Sequence, residues 1–489
     1  MKVLLASSEV HPYSKTGGLA DMVGALAKSL AKAGLQVGLV TPLYKGIFEN
    51  FPDIHRFDRG IDLPLGTRRV QAEILKREWK PGLTVYFVHQ PDLFHRAELY
   101  QEKGIDYPDN AERFIFFSKS VAHLARYLPS QPELVHVHDW QAGLVPLMIK
   151  HLRERAGWGA APKTCLTIHN LAYQGVFPAR FYEVTNLPLE YFHPDGVEFY
   201  GAMNCLKAAL CYADTITTVS PRYAREILTE AFGCGLDGVL RRRRHSVVGI
   251  LNGVDYAEWR SDGNPFLPHA FSVRDLRGKE AAKLALQREL GLPPAPAIPL
   301  FGNISRLVDQ KGSDLLLGAL EEMLATNMQF VLLGSGSPAL EKAFQDLSHR
   351  YPDKVAVRIG YDHPLSHRIE AGCDFFLMPS RFEPCGLNQM YSLHYGTIPI
   401  VRVTGGLDDS VIDLSEDLEQ ANGIKFYECS ARALAKAIRK ALVLYQEPGL
   451  LRKFRENAMS ADFSWERTAG EYIEVYRQTL AMTDDHLTP

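Results

Sequence analysis

Several patterns are missing from these 489 residues, and each absence closes off a class of function. The seven cysteines are scattered: Cys165, Cys205, Cys211, Cys234, Cys373, Cys385 and Cys429. Their odd count and the lack of any Cys-x-x-Cys spacing argue for reduced thiols in the cytoplasm. They argue against a disulfide frame or a zinc site. No apolar stretch is long enough to span a membrane. Met1 to Ser7 briefly looks like a signal peptide, but the apolar run is short and Glu9 interrupts it, so it reads as a first strand. No Asp-x-Asp occurs, so the usual short carboxylate clamp for a divalent metal is lacking. Neither a Ser-His-Asp set nor His-Glu-x-x-His appears. Net charge is only -3, which gives no general attraction to nucleic acid or to an anionic membrane. The basic run Arg241 to Arg244 is the exception and reads as a solvated helix end.

What is present is the alphabet of a large α/β protein. Hydrophobic residues make up 46% and charged residues 23%, and the length implies two or three domains. Val3 to Ala6 reads as a strand and Ser8 to Gly18 as a loop. Leu19 to Ala33 has helical apolar spacing, with Gly34 as its stop signal, and Val37 to Val40 is a second strand. A strand, a glycine loop, a helix and a strand make a parallel β-α-β unit whose loop lies at the ligand edge. Further strands end in polar groups: Leu134 to Val137 before Asp139, Thr164 to Ile168 before His169-Asn170, and Val247 to Ile250 before Asn252. After a proline-rich stretch, Trp259 to Ile298, the pattern restarts with strands at Pro299 to Ile304, Phe330 to Leu333, Val355 to Ile359 and Phe375 to Met378.

The stretch from Pro379 to Leu407 organises the second half. The strand Phe375 to Met378 opens into a loop with Arg381, Glu383 and Gly386, and a helix starts near Leu387. The strand Ile398 to Arg402 then opens onto Gly405-Gly406. In an open parallel sheet this edge is where ligands bind. Arg306 and Lys311, in a loop between strand and helix, suit a diphosphate. Taken alone, they read more readily as solvated surface charges. Glu383 could bind sugar hydroxyls, act in acid/base work, or order its loop. Gly334-Ser-Gly336 outlines a dinucleotide fingerprint, but the next strand supplies no acidic residue for a ribose.

These motifs jointly resemble the bacterial glycogen synthase and plant starch synthase family. The residues that carry the likeness are Lys15-Thr-Gly-Gly-Leu19 with Asp21, Tyr107-Pro-Asp-Asn110, His138-Asp-Trp140, Thr167-Ile-His-Asn170 and Leu251-Asn-Gly-Val-Asp255. In the second half they are Ser305-Arg-Leu307, Gln310-Lys-Gly312, Pro379-Ser-Arg-Phe-Glu-Pro-Cys-Gly-Leu387, Thr404-Gly-Gly-Leu407 and Phe463-Ser-Trp465. The likeness covers almost the whole chain. It departs at Phe94, where some members carry tyrosine, and at Asn388, where threonine is frequent.

The resemblance implies two doubly wound Rossmann-like domains facing across a cleft (the GT-B type). It implies retaining transfer of glucose from ADP-glucose to the non-reducing end of an α-1,4-glucan, in the cytoplasm, with no cofactor and no metal. By resemblance Glu383, Arg306, Lys311 and His169 carry the chemistry. Lys15, Gly17, Gly18, Asp21, Asp139, Asn170, Asn252, Tyr361, Cys385, Gly386 and Leu387 bind substrate, with Tyr361 near the adenine. The expected partition is 1–258 for the acceptor-side domain, 259–298 for a connection, and 299–460 for the nucleotide-sugar domain. Residues 461–489 are expected to form a helix crossing the junction and a tail, disordered over 484–489. A UDP-glucose-dependent relative, a non-catalytic glucan-binding protein and a dinucleotide oxidoreductase are the alternatives.

Overall fold

A computed structural model describes residues 1–155, 157–159 and 161–483, without the side chains of 58 and 59. The disorder expected for 484–489 lies outside the described residues. The chain divides into two units. The first comprises 1–219, 224–253 and the segment from 465 on; the second comprises 220–223 and 254–464.

The first unit is built on nine strands: β1 (Lys2–Ala6), β2 (Gln36–Pro42), β3 (His55–Leu65), β4 (Arg68–Lys80), β5 (Leu83–His89), β6 (Leu134–His138), β7 (Lys163–Ile168), β8 (Thr215–Thr218) and β9 (Val247–Gly249). Their order across the sheet is β9-β8-β7-β6-β1-β2-β5-β4-β3. From β9 to β5 every pairing is parallel, and β4 and β3 add an antiparallel edge. The chain winds outward one way from β1 to β2 and the other way from β1 to β6. A crevice therefore opens at the carboxyl ends of β1 and β6, where the loops part in opposite directions.

The second unit repeats the plan with β10 (Leu300–Leu307), β11 (Gln329–Gly336), β12 (Val355–Ile359), β13 (Phe375–Met378), β14 (Ile398–Arg402) and β15 (Ile424–Phe426). The order is β12-β11-β10-β13-β14-β15, all parallel. Its strands read as continuous apolar runs because both faces are covered. Phe375 and Leu377 of β13 enter one core cluster while Phe376 enters the other, and Phe330 and Val331 of β11 divide in the same way. The switch point here lies between β10 and β13.

One expectation about the partition needs correction. The stretch 259–298 is not a connection but part of the second unit. Its prolines mark loops around a helix, Arg277–Leu290, whose Leu286 and Leu290 are core residues. Trp259 is buried and stacks on Tyr391 with centroids 3.7 Å apart. The helix expected to cross the junction, Trp465–Ala481, belongs to the first unit. Tyr476 Oη lies 2.7 Å from His136 Nδ1, and the Thr479 and Thr215 hydroxyls are 2.8 Å apart. Buried polar groups under the sheet thus find their partners on this helix.

Candidate active site

At the β10/β13 switch point the chain brings a carboxylate and two cations to one edge. Glu383 is buried and accepts from Lys311 Nζ at 2.5 Å and from Ser380 Oγ at 3.0 Å. Both bonds end on Oε2. Among the described residues Oε1 has no protein partner. Arg306, at the end of β10, is exposed, and its side chain makes no ion pair or hydrogen bond among the described residues. It lies on the strand rather than in the loop, and Lys311 closes a 3-10 turn, Asp309–Lys311.

The loop that presents Glu383 is braced from several sides. Arg381 turns away from the site to hold Asp314 with two bonds of 2.7 Å. The Arg381 amide donates to the Gln310 carbonyl at 2.8 Å, and Arg402 Nε donates to the Ser380 carbonyl at 2.7 Å. Gly312 sits at φ +67, and a Cβ there would fall 2.1 Å from the Pro379 carbonyl oxygen. Only glycine lets the Lys311 turn press so close to the Glu383 loop. Cys385 is buried and Gly386 has φ +72. The amides of Gly386 and Leu387 have no acceptor among the described residues. Asn388 Nδ2 donates to the Ile304 carbonyl at 2.8 Å, tying the helix Asn388–His394 to β10.

Tyr361 lies past the end of β12 and is 83% exposed, beside a cavity of about 310 Å³ lined also by Leu333, Arg358 and Leu365.

The remaining predicted residues belong to the first unit and sit at the carboxyl edge of its sheet. Asp139 follows β6 at φ +55, a backbone region that a non-glycine residue enters at a cost of a few kcal/mol, about 1–3. Its Oδ1 accepts from the His169 amide at 2.7 Å. Burial pushes its carboxyl up to about 7, against the donations from the amides of His169 and Asn170. His169 Nε2 is 3.1 Å from His138 Nδ1, and burial holds the His169 ring down at about 3, so it is neutral. Burial, followed by the neighbouring His136 and His169, lowers His138 as well. Asn170 Oδ1 accepts from the Ala172 amide at 3.1 Å. Asn252 is buried, and among the described residues its Oδ1 lacks a protein partner.

Lys15 and Asp21 pair with each other at 2.7 Å and are both partly exposed. Gly17 and Gly18 start the helix Gly18–Lys32, and a Cβ at either would meet nothing within 4 Å. Phe94 is fully buried against Tyr44.

Sequence reasoning missed the residues that hold these groups. Glu9 accepts from the Thr16 amide at 2.5 Å, the Thr16 hydroxyl at 2.7 Å and Tyr100 Oη at 2.7 Å. A lone charge directly after a first strand was the available signal. Ser380 and His138 stand inside motifs named above, without a role assigned to them there; with Arg402 they act through their neighbours.

A family model described as the starch synthase catalytic domain matches residues 2–242, and one described as glycosyl transferases group 1 matches residues 293–460. A glycogen synthase of Anaeromyxobacter dehalogenans is 47% identical over 98% of this chain and 99% of its own length. Glycogen synthase 2 of Nitrosococcus oceani is 44% identical over 98% of each. The solved catalytic domain of starch synthase IV from Arabidopsis thaliana, bound to ADP and acarbose, superposes with a TM-score of 0.87 at 34% identity. That match covers 98% of this chain and 99% of that one. A sucrose-phosphate synthase from Thermosynechococcus elongatus, at 20% identity and a TM-score of 0.61, shares the fold.

Proposed function

The chain belongs to the glycogen and starch synthase family, and from that membership we propose that it transfers glucose from ADP-glucose to the non-reducing end of an α-1,4-glucan, with retention at the anomeric carbon. The observation that carries the reading is the Lys311–Glu383 pair at the switch point, with Glu383 Oε1 and the Arg306 side chain both without a partner among the described residues. The scission of a sugar–diphosphate bond leaves negative charge on the leaving group and positive charge at the anomeric carbon. A site for it needs fixed cations and one fixed carboxylate.

Arg306 and Lys311 hold the diphosphate and meet the charge that grows on it. The contact between Lys311 and Glu383 aims the cation and orders the carboxylate. Glu383 Oε1 takes a sugar hydroxyl and faces the developing cation. The amides of Gly386 and Leu387 and the backbone at Cys385 supply further donors to the glucose. Tyr361 stacks on the adenine. Neutral His169 exchanges a hydrogen bond with a sugar hydroxyl, fixed from behind by Asp139 and His138. Asn170 and Asn252 line the sugar side, and Lys15, Gly17, Gly18 and Asp21 contact the nucleotide sugar. The reaction runs in the cytoplasm without a cofactor. No helix among the described residues is long and apolar enough to cross a membrane.

The test is donor competition. With a glycogen primer, labelled glucose should enter polymer from ADP-glucose in preference to UDP-glucose, and NMR of the product should show only new α-1,4 linkages. Polymer formed from UDP-glucose alone, or transfer only to free sugars, would overturn the assignment.

A further inference from the structure

Three side chains of the second unit that the glucosyl transfer does not use converge on the first turn of the helix His363–Gly372. Glu258, His363 and His367 each present a ligand atom, and these atoms all lie within 4.8 Å of one another. His363 Nε2 is 3.3 Å from Glu258 Oε1 and 3.4 Å from His367 Nε2. Histidines four apart share one face of a helix, so the spacing aims both rings the same way. In a tetrahedral zinc site with bonds of about 2.0–2.1 Å, neighbouring donor atoms stand about 3.3 Å apart. Two of the three edges here already have that length. Glu258 is exposed, and rotation of its side chain closes the third.

The surroundings are those of a ligand rather than of a loose surface histidine. His367 is buried, and Trp259 stacks on its ring at 4.0 Å and 17°. Its Nδ1 lies 3.0 Å from Tyr395 Oη and 3.2 Å from Asn264 Nδ2. Partners on the far nitrogen of a histidine fix the ring and select the tautomer, as around bound metals. Where Nδ1–H is donated to Tyr395 Oη, the Nε2 lone pair points toward His363; where the Asn264 amide donates to Nδ1, Nε2 carries the proton and metal binding requires the other tautomer. His363 and Glu258 reach solvent, leaving room for water in a fourth position.

We propose that Glu258, His363 and His367 form a binding site for a divalent cation of the zinc class, held by two imidazole nitrogens and one carboxylate. The ion clamps the segment around Glu258 and Trp259 to the helix that follows Tyr361. It supports the fold of the second unit and takes no part in glucosyl transfer. The competing account is a trio joined only by hydrogen bonds, in which one of the two facing Nε2 atoms carries the proton.

The experiment uses the full chain stripped by a chelator and titrated with zinc chloride, followed by calorimetry and melting temperature, and with cobalt chloride, followed by visible absorption. One equivalent of zinc should bind and raise the melting temperature as its concentration rises. Cobalt should give the intense visible bands of a four-coordinate site. Glu258→Gln and His363→Ala replace solvent-reaching groups and should keep the metal-free melting temperature. Each should weaken the first equivalent at least about tenfold and remove the cobalt bands. Binding equal to the parent in both variants would place the zinc elsewhere among the 17 histidines and overturn the proposal. So would the absence of a melting shift, or the weak spectrum of six-coordinate cobalt.

Discussion

The tetrapeptide Thr-Gly-Gly-Leu occurs once in each unit, at Thr16 to Leu19 and at Thr404 to Leu407, and each copy opens a helix. The two copies use their glycines for different physical reasons. In the second unit the pair is crowded. A Cβ on Gly405, at φ +43, would fall 2.0 Å from the Glu383 carbonyl oxygen, and one on Gly406 would fall 2.1 Å from the Cys385 carbonyl oxygen. The Gly406 amide donates to the carbonyls of Glu383 and Pro384, each at 3.2 Å. This turn is a support pressed under the loop that carries Glu383. In the first unit a Cβ on Gly17 or Gly18 would meet nothing within 4 Å. That turn is held from behind by Glu9, and its front is bare. The carboxylates differ accordingly. Glu9 uses both oxygens on its own turn, while among the described residues Glu383 Oε1 has no partner. A repeated motif therefore marks a repeated topology, while the direction of its crowding separates a brace from a contact surface.

The comparison can be broken most sharply at Gly406. Gly406→Ala should destabilise the protein by about 3 kcal/mol, because the methyl meets backbone that cannot yield. Urea unfolding of the variant reads this directly, and an unchanged midpoint would mean that the turn is not a brace. Next in size is Glu383→Gln. Losing one preorganised charge should lower turnover about a hundredfold, roughly 2.7 kcal/mol. Donor affinity and melting temperature should change little, since the amide keeps the bond from Ser380. Near-normal turnover would leave Glu383 an ordering residue, and a collapse in melting temperature would make it structural.

Gly18→Ala tests the open copy. We expect about tenfold weaker ADP-glucose binding, near 1.4 kcal/mol, with no loss of stability. A fall in melting temperature with normal donor affinity would reverse the distinction between the two turns.

The smallest effect concerns Asp139, the first unit's buried carboxylate. Its folded pKa, about 7, lies above its ordinary value of 3.8. The stabilisation from its protonated form is complete below the ordinary value and is lost as pH rises through 7. Between pH 7 and 6 the parent should gain about 1 kcal/mol relative to Asp139→Asn. His136 and His169, both lowered by burial to about 3, oppose this in the parent. Their stabilisation is complete above the ordinary histidine value and is lost as pH falls toward 3. The variant should therefore lose stability in acid more steeply than the parent. Parallel melting curves across pH 5 to 8 would show that Asp139 does not titrate there.

The strands were the most legible part of the sequence. Phe375–Met378 and Ile398–Arg402 carry the expected bounds, because a strand buried on both faces is an unbroken apolar run ended by polar residues. The antiparallel hairpin of β3 and β4 was not foreseen, since His55 to Lys80 mixes charged and apolar residues along a sheet edge. Prolines in 259–298 suggested a linker, while the apolar spacing of Ala282, Leu286 and Leu290 was the signal of a packed helix. Lys311 and Glu383 were singled out separately. That they form one ion pair depends on β10 and β13 lying side by side, a fact of topology rather than of local pattern. The strained backbone at Asp139 and the ordering carboxylate of Glu9 likewise depend on contacts that no short window contains.

The helix Trp465–Ala481 has a consequence for how the chain is made. His136 and Tyr476 meet across 340 residues of sequence. On the ribosome the first unit begins to emerge first yet cannot complete its interior until its last helix arrives. The second unit, almost wholly contained in 254–464, is fully synthesised before that moment. The order of birth and the order of completion are thus inverted. The part begun first waits, with buried histidines and threonines still exposed to water, for a segment that is made only after the second unit.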